Sequence, residues 1–359
     1  MFTVENKYMA RCIELAKHGK GSVHPNPLVG SVIVHAGKII GEGYHCNYGG
    51  PHAEVNAIAS VKDQSLLKNA TLYVNLEPCS HYGKTPPCSE LIIRKQIPRV
   101  IIGCLDPFSE VSGRGIRMLK EAGVEVITGI MEKESFEVNK VFMTSHMLKR
   151  PYIYLKWAQC AGGFIDGIRT DTSVTPVKFS SPEMLQLVHK RRSEVSAIMV
   201  GTRTALLDNP TLSVRYWSGT SPLRVVLDKN LTIPNGNHLL DASIPTVIFT
   251  EKEKENSLNI TYIRTEFNNN ILTRILLYLY EQNITSLLVE GGTYLLDQFL
   301  CHDLWDEIQI ETAPICLTGG VKAPDIKNTN NALLSKVSIC KDKNAKEHII
   351  TVYSRKNQL

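Results

Sequence analysis

No stretch of this sequence approaches the roughly 18–20 consecutive apolar residues of a membrane-spanning helix. The first residues, Met1-Phe2-Thr3-Val4-Glu5-Asn6, also lack the charged-then-apolar order of a secretory signal. Charge of one sign is scarce: the net charge is only +5 over 359 residues. Without a basic stripe, nucleic acid is not demanded as a partner, although a phosphorylated small molecule is permitted. A disulfide framework is missing too, because the nine cysteines are odd in number and scattered. Reduced thiols in a cytoplasm suit that pattern better.

What is present is ordinary in bulk and specific in two places. Hydrophobic content of 43% and charged content of 21% fit a globular protein, and the length favours two domains over one core. The specific places are His52-Ala53-Glu54 and, two dozen residues on, Glu77-Pro78-Cys79 leading to Cys88. Zinc takes nitrogen and sulfur ligands, and a catalytic site leaves one tetrahedral corner open. His52, Cys79 and Cys88 supply three corners, and the missing fourth thiol favours catalysis over a structural site. Glu54 is then free to carry protons. Packing is the plainer reading of an isolated cysteine, and Cys12, Cys46, Cys104, Cys160, Cys301, Cys316 and Cys340 are assigned to it. The trio resembles the HxE…PC…C signature of zinc-dependent deaminases, with eight residues between the cysteines instead of two.

Along the chain, Tyr8, Met9, Cys12, Ile13 and Ala16 predict an amphipathic helix over 5–18. Pro25 and Pro27 hold Asn26 in an extended or turn conformation. Asn26 reads equally as a turn former and as a ligand-facing amide. Strands are predicted at 29–34 and 38–44, then a helix opened by His52, whose positive dipole end favours negative charge beside a metal. A buried strand at 71–76 leads to Cys79, and Cys88 opens the next helix. A strand at 99–103, a helix at 112–121, a strand at 124–128 and a helix at 131–148 follow. Lys149-Arg150-Pro151 is the linker candidate, dividing the chain into domains 1–149 and 150–359, and the alternation implies an α/β class.

The second half begins with a strand at 152–157 and the glycines Gly162, Gly163 and Gly167. Ser181 and Pro182 start a helix that runs to Arg192. A strand at 195–201, a polar crossover at 202–210, strands at 223–228 and 246–250 and a helix at 271–281 come next. The strand at 286–290 then runs into Gly291-Gly292-Thr293 ahead of another helix. Such a turn suits an anion held by backbone N–H groups. A close strand–helix turn explains the glycines equally well, and the pair is not the GxGxxG fingerprint.

Several motifs in one order carry a resemblance. HPNPLVG at 24–30, HAE at 52–54, LEPCSHYGKTPPC at 76–88 and DP with VSGRG at 106–115 resemble the deaminase domain of bifunctional riboflavin-biosynthesis deaminase/reductase proteins. LKWAQ at 155–159, the Ser-Pro helix, VGTRTALLDNPTLSVR at 200–215 and VEGGTYLL at 289–296 resemble the reductase domain of the same family. The resemblance spans almost the whole chain. It implies an N-terminal cytidine-deaminase-like α/β/α domain and a C-terminal dihydrofolate-reductase-like α/β domain, using Zn2+ and NADPH. By position, Ala158, Thr204, Asp208, Gly292 and Thr293 would contact NADPH. Arg192, Leu212, Arg215 and Glu290 would meet the ribose-phosphate substrate, two arginines suiting a phosphate. Asn26, His81, Lys84 and Asp106 are substrate candidates in the first domain, although polar residues of a long loop are also commonly just solvated. Three positions depart from the family: Gly162 stands where Asp is usual, Lys178 where Trp is, and Phe108 where Asn is.

The reaction so implied has two steps. The first is hydrolytic deamination of 2,5-diamino-6-(5-phosphoribosylamino)pyrimidin-4(3H)-one, with Glu54 as the general acid–base. The second is NADPH-dependent reduction of the ribosyl group to give 5-amino-6-(5-phosphoribitylamino)uracil. The expected setting is a cytoplasmic homo-oligomer, dimer or tetramer, with neither nucleic acid nor membrane as partner. The alternatives are a deaminase with a degenerate reductase domain, a nucleic-acid or nucleoside zinc deaminase, and a zinc-binding regulatory module without catalysis.

Overall fold

The Thr3 side chain accepts a hydrogen bond from the Asn6 amide and starts α1 (Val4–Ala16), whose buried stripe is Tyr8, Met9, Cys12, Ile13, Leu15 and Ala16. The structure is a computed structural model and describes residues 3–80, 82, 86–107, 113–326 and 332–355. The chain divides into two units, Met1–Lys149 and Arg150–Leu359. Among the described residues no helix is long and apolar enough to cross a membrane.

In the first unit, β1 (Gly30–His35) pairs antiparallel with β2 (Lys38–Tyr44). The stripe of α1 lies on β1 at Gly30, where a Cβ would stand 2.1 Å from the Cys12 carbonyl oxygen. Next, α2 (Ala53–Ser60) rests on β2. Gly43 permits the approach, since a Cβ there would meet the Ala57 nitrogen at 2.4 Å. Then come β3 (Thr71–Leu76), α3 (Cys88–Arg94), β4 (Arg99–Cys104), α4 (Arg114–Glu121) and β5 (Glu125–Thr128). The sheet order is β2-β1-β3-β4-β5, antiparallel across β1 and parallel from β3 onward. Alternate strand residues face opposite sides: Ile33, Leu72, Val74, Val100 and Ile102 pack with Ala57, Ile92 and Leu119, while Val32, Tyr73 and Ile101 pack with α1. The result is helix, sheet, helix.

The single helix predicted over 131–148 is two, α5 (Glu132–Val138) and α6 (Lys140–Leu148). Asn139 separates them. Its side chain accepts from the Leu28 N–H (2.8 Å) and donates to the Leu28 carbonyl (2.9 Å), a tertiary contact that fixes the break.

The second unit is built on β6 (Tyr152–Cys160), which turns through Gly162 and Gly163 into β7 (Phe164–Asp166). Ser181 caps α7 (Pro182–Ser193), with its Oγ accepting from the Met184 N–H at 3.3 Å. After β8 (Ala197–Gly201), the predicted polar crossover is a short helix, α8 (Thr202–Asp208). Only Ala205 of α8 is buried, so its helical period leaves almost no apolar trace in the sequence. The chain continues through β9 (Leu223–Leu227), β10 (Thr246–Thr250), β11 (Ile260–Arg264), α9 (Ile271–Glu281), β12 (Ser286–Gly291), α10 (Thr293–Cys301), β13 (Glu307–Ala313), β14 (Val321–Lys322), β15 (Ala332–Lys341) and β16 (Glu347–Arg355). The main sheet runs β11-β10-β9-β8-β12-β6-β13-β16-β15, parallel up to β13 and antiparallel for the last three strands. Its core joins Ile153, Leu155, Met199, Val225 and Leu287 to Leu276, Leu296 and Phe299 of the covering helices.

Candidate active sites

His52 is the N-cap of α2 and Cys88 opens α3, while Cys79 sits just beyond the end of β3. Helix starts bring unpaired N–H groups with them. Accordingly, the Cys88 N–H donates to Cys79 Sγ (3.3 Å), and the Ser89 N–H and Oγ–H both donate to the Cys79 carbonyl (3.2 and 2.9 Å). His52 Nδ1 lies 3.5 Å from Cys79 Sγ and 3.4 Å from Cys88 Sγ. The three ligand atoms all fall within 4.8 Å of one another. A tetrahedral zinc with nitrogen at about 2.05 Å and sulfur at about 2.3 Å has N···S edges of about 3.6 Å, so the donor set fits that ion.

Electrostatics follow the same geometry. Hydrogen bonding with Cys88 and His52 outweighs burial and holds the Cys79 thiol down at about 4. The Cys79 contact raises His52 to about 9, while Cys79 and burial push the Cys88 thiol up. Two sulfurs and a carboxyl around one imidazole favour positive charge at their centre. Glu54, only 3% exposed, is pushed up to about 7, first by burial and then by the charge of Cys79.

Around this cluster the chain is tied down by buried polar groups. Glu77 accepts from the N–H groups of Gly113 (3.0 Å) and Gly115 (3.1 Å), fastening the start of α4 to the Cys79 loop. Asn75, fully buried, accepts from the Gly30 N–H (2.8 Å) and donates to the Leu28 carbonyl (3.0 Å). Those bonds hold the loop that carries Asn26, whose amide reaches His45 Nε2 at 3.0 Å. His45 in turn meets the His52 ring edge-on, with centroids 5.5 Å apart. Asp106 is half-buried beyond β4. His81, Lys84 and Phe108 lie outside the described residues.

In the second unit a cavity of about 910 Å³ is lined by Ala158, Thr204, Asp208, Glu290, Gly292 and Thr293, six positions named from the sequence. The strand end at Gly291 and Gly292 is bare where it faces α8. A Cβ on Gly292 would stand 3.2 Å from Thr204 Oγ1, and Gly291 has a φ of +146° that favours glycine. Asp208 is not free to face a ligand alone, because Arg169 pairs with it and with Asp166 (2.6 Å). Arg192 is joined to the cavity through Glu290, which takes its Nε and Nη2 at 3.1 and 2.6 Å. Arg192 Nη1 donates to the Ser213 carbonyl at 3.2 Å, so two of its five N–H donors are unspent among the described residues. Leu212 is buried as a whole residue and is not among the residues lining the cavity. Arg215 is exposed, with its N–H held by His189 Nδ1 at 2.8 Å.

Two departures from the family pattern fall away from the cavity: Gly162 is exposed in the turn after β6 and Lys178 is exposed before α7, and neither is among its lining residues. Sequence reasoning passed over Lys156, which lines the cavity with its Nζ 3.9 Å from Glu311 Oε2. A lysine inside the apolar run Tyr152-Ile153-Tyr154-Leu155-Lys156-Trp157 was the signal for it. Arg169 and His45 carried no comparable signal.

A family model described as the cytidine and deoxycytidylate deaminase zinc-binding region matches residues 3–104. Another, described as the RibD C-terminal domain, matches residues 151–345. Riboflavin biosynthesis protein RibD of Aquifex aeolicus (strain VF5) is 38% identical over 360 aligned residues, spanning 98% of this chain and 99% of that protein. The Bacillus amyloliquefaciens protein of the same name is 41% identical over 90% of this chain and 88% of its own length. Among solved structures, the Thermotoga maritima diaminohydroxyphosphoribosylaminopyrimidine deaminase/5-amino-6-(5-phosphoribosylamino)uracil reductase is similar with a TM-score of 0.87 at 35% identity, covering 98% of this chain and 99% of that one. Acinetobacter baumannii RibD is similar at 0.84 and 29% identity, covering 99% and 100%.

A thiolate–imidazole zinc cluster in one α/β unit and a dinucleotide-sized cavity in the next define a class, a deaminase joined to a reductase. Its first unit uses zinc, its second uses NADPH, and its substrates are small molecules. The chain belongs to the family of riboflavin biosynthesis protein RibD.

Proposed function

We propose that the first unit converts 2,5-diamino-6-(5-phosphoribosylamino)pyrimidin-4(3H)-one and water to the corresponding pyrimidinedione and ammonia. The second unit then reduces the ribosyl group to give 5-amino-6-(5-phosphoribitylamino)uracil. The observation that carries this reading is the convergence of three ligand atoms within 4.8 Å beside the buried carboxyl of Glu54.

His52, Cys79 and Cys88 hold the zinc. When bound, the ion supplies the Lewis acidity that makes water nucleophilic near neutral pH. Glu54 takes the proton of the attacking water on its carboxylate and hands it to the departing amino group, a role worth on the order of 10²–10⁴-fold in rate. A carboxyl pushed up to about 7 can both accept and release that proton near neutrality. Asn26 and Asp106 grip the substrate, together with His81 and Lys84.

In the second unit NADPH, when bound, would supply the hydride for reduction at C1′ of the opened ribose. Ala158, Thr204, Asp208, Gly292 and Thr293 form its bed, and the cavity in which all five lie supports this. Arg192 and Arg215 bind the phosphate, with Leu212 meeting the same substrate between them, and Glu290 orients the ribosyl chain through the Arg192 pair. A coupled assay tests the whole. Ammonia release and NADPH oxidation are followed separately on one zinc-assayed sample. NADPH left unoxidised at saturating deaminated substrate would sink the second activity and leave a deaminase alone.

The setting is a cytoplasmic homo-oligomer. Strand β15 ends the main sheet and, across the bulge between Leu334 and Lys336, leaves Leu334, Val337 and Ile339 exposed on one face, and apolar edge strands of this kind pair with other chains. Val337→Lys should then shift the sedimenting species toward the monomer, and an unchanged species removes β15 as the interface.

A further inference from the structure

His45 is 3% exposed and takes no part in the proton transfers of deamination. Its Nδ1 lies 3.0 Å from the Pro51 carbonyl oxygen. A carbonyl can only accept, so Nδ1 carries the ring proton. Asn26 Nδ2 stands 3.0 Å from Nε2, and an NH2 group donates, so Nε2 is left as the accepting lone pair. Only the NH2 end of the Asn26 amide can stand 3.0 Å from it, because the opposite orientation would set two acceptors face to face.

The consequence lies at the other end of the amide. Asn26 Oδ1 is turned away from His45, and no hydrogen bond joins it to another described residue. The backbone beneath is already fixed, since Asn75 and Asn139 grip Leu28 from two directions. Rotation of the amide is the freedom that remains, and His45 removes it. The same ring touches His52 and bonds the residue just before it, so the amide is held in register with the metal ligand.

We propose that His45 is a positioning residue for substrate recognition: it fixes the Asn26 amide so that Oδ1 faces the substrate as an acceptor and selects a ring presenting an N–H or NH2 donor. An unfixed amide could flip, satisfy an acceptor equally well, and lose that selection. The inference rests on the deaminase reading of the first unit.

Two substitutions in the full-length, zinc-loaded protein separate the two bonds of His45. His45→Asn keeps an N–H near the Nδ1 position for Pro51 but offers nothing to Asn26. His45→Gln puts a carbonyl oxygen near the Nε2 position and restores the acceptor. The expected result is a KM for ammonia release raised about tenfold in His45→Asn, with kcat changed less and zinc content full. In His45→Gln the KM should return to within about threefold of the parent. Asn26→Ala should raise KM in the parent yet add less than about twofold on top of His45→Asn, since coupled residues are non-additive. A parental KM in His45→Asn, a failed rescue by Gln, or additive effects would overturn the proposal. A readout without turnover stands beside these. In 15N spectra His45 Nε2 should appear unprotonated and should shift in Asn26→Ala, and a protonated Nε2 overturns the proposal whatever the activity. If the parent releases no ammonia while Nε2 is unprotonated and coupled to Asn26, the deaminase reading fails and the amide-fixing role stands.

Discussion

Arg192 and Glu290, 98 residues apart, form a two-pronged ion pair with Nε–Oε1 at 3.1 Å and Nη2–Oε2 at 2.6 Å. Each side chain is only 12% exposed. The forked geometry matches guanidinium to carboxylate, and it carries charge from α7 to the rim of the cavity at the end of β12.

Breaking that pair from one side leaves the other charge buried and uncompensated, which typically costs about 3–5 kcal/mol. Glu290→Ala is therefore expected to unfold the second unit at a lower urea concentration and to stop NADPH oxidation. Ammonia release by the first unit should persist in the same preparation. Loss of both activities together would contradict independent sites.

The zinc cluster and Glu54 should fail in different ways. Cys88→Ser is expected to lower zinc content and ammonia release together, with NADPH oxidation of deaminated substrate intact. Glu54→Gln should keep zinc at the level of the parent while ammonia release drops by roughly 10²–10⁴-fold. Metal analysis beside the assay decides whether Glu54 is a ligand or a proton carrier.

Gly292→Ala probes the cofactor bed. The added methyl would stand 3.2 Å from Thr204 Oγ1, so Thr204 must give way. Overpacking of this kind costs on the order of 1–3 kcal/mol, and if the lower end falls on the cofactor bed NADPH should bind about fivefold more weakly. Fluorescence titration measures it, and Thr204→Ala in the same chain should recover part of the loss.

His189 makes stability in the second unit pH-dependent. Burial, then Arg192 and Arg215, hold its pKa down at about 4, with Glu290 opposing them. The unfolded chain binds that proton near 6.5. Below 6.5 the unfolded state therefore takes up more protons, so the stability tied to neutral His189 is present above 6.5 and lost as pH falls toward 4. In urea melts between pH 7.5 and 4.5, the parent should lose up to about 1.4 kcal/mol per pH unit relative to His189→Asn. Parallel curves would place the titration elsewhere.

Much of the first site could be read from residue order because its parts are local. His52 and Cys88 each open a helix, and Cys79 follows a strand of nearly continuous apolar character. Such positions announce themselves in a window of ten residues. The break between α5 and α6 did not, since Asn139 is an ordinary helix residue until Leu28, 111 positions away, offers its backbone. Nor did α8, whose single buried residue leaves no period to count.

By itself the sequence pointed to His52, Cys79 and Cys88 as zinc donors, to Glu54 as proton carrier and to the α/β class. Those readings depend on residue types in recognisable local patterns, while the order of the two activities came from the motif resemblance. Tertiary structure alone decided which amide end Asn26 presents, where the charge of Arg192 is spent, and that Gly162 and Lys178 lie outside the cavity. Those facts depend on partners brought together by sheet pairing and helix packing across long separations. Hydrogen-bond direction and burial exist only once such partners meet.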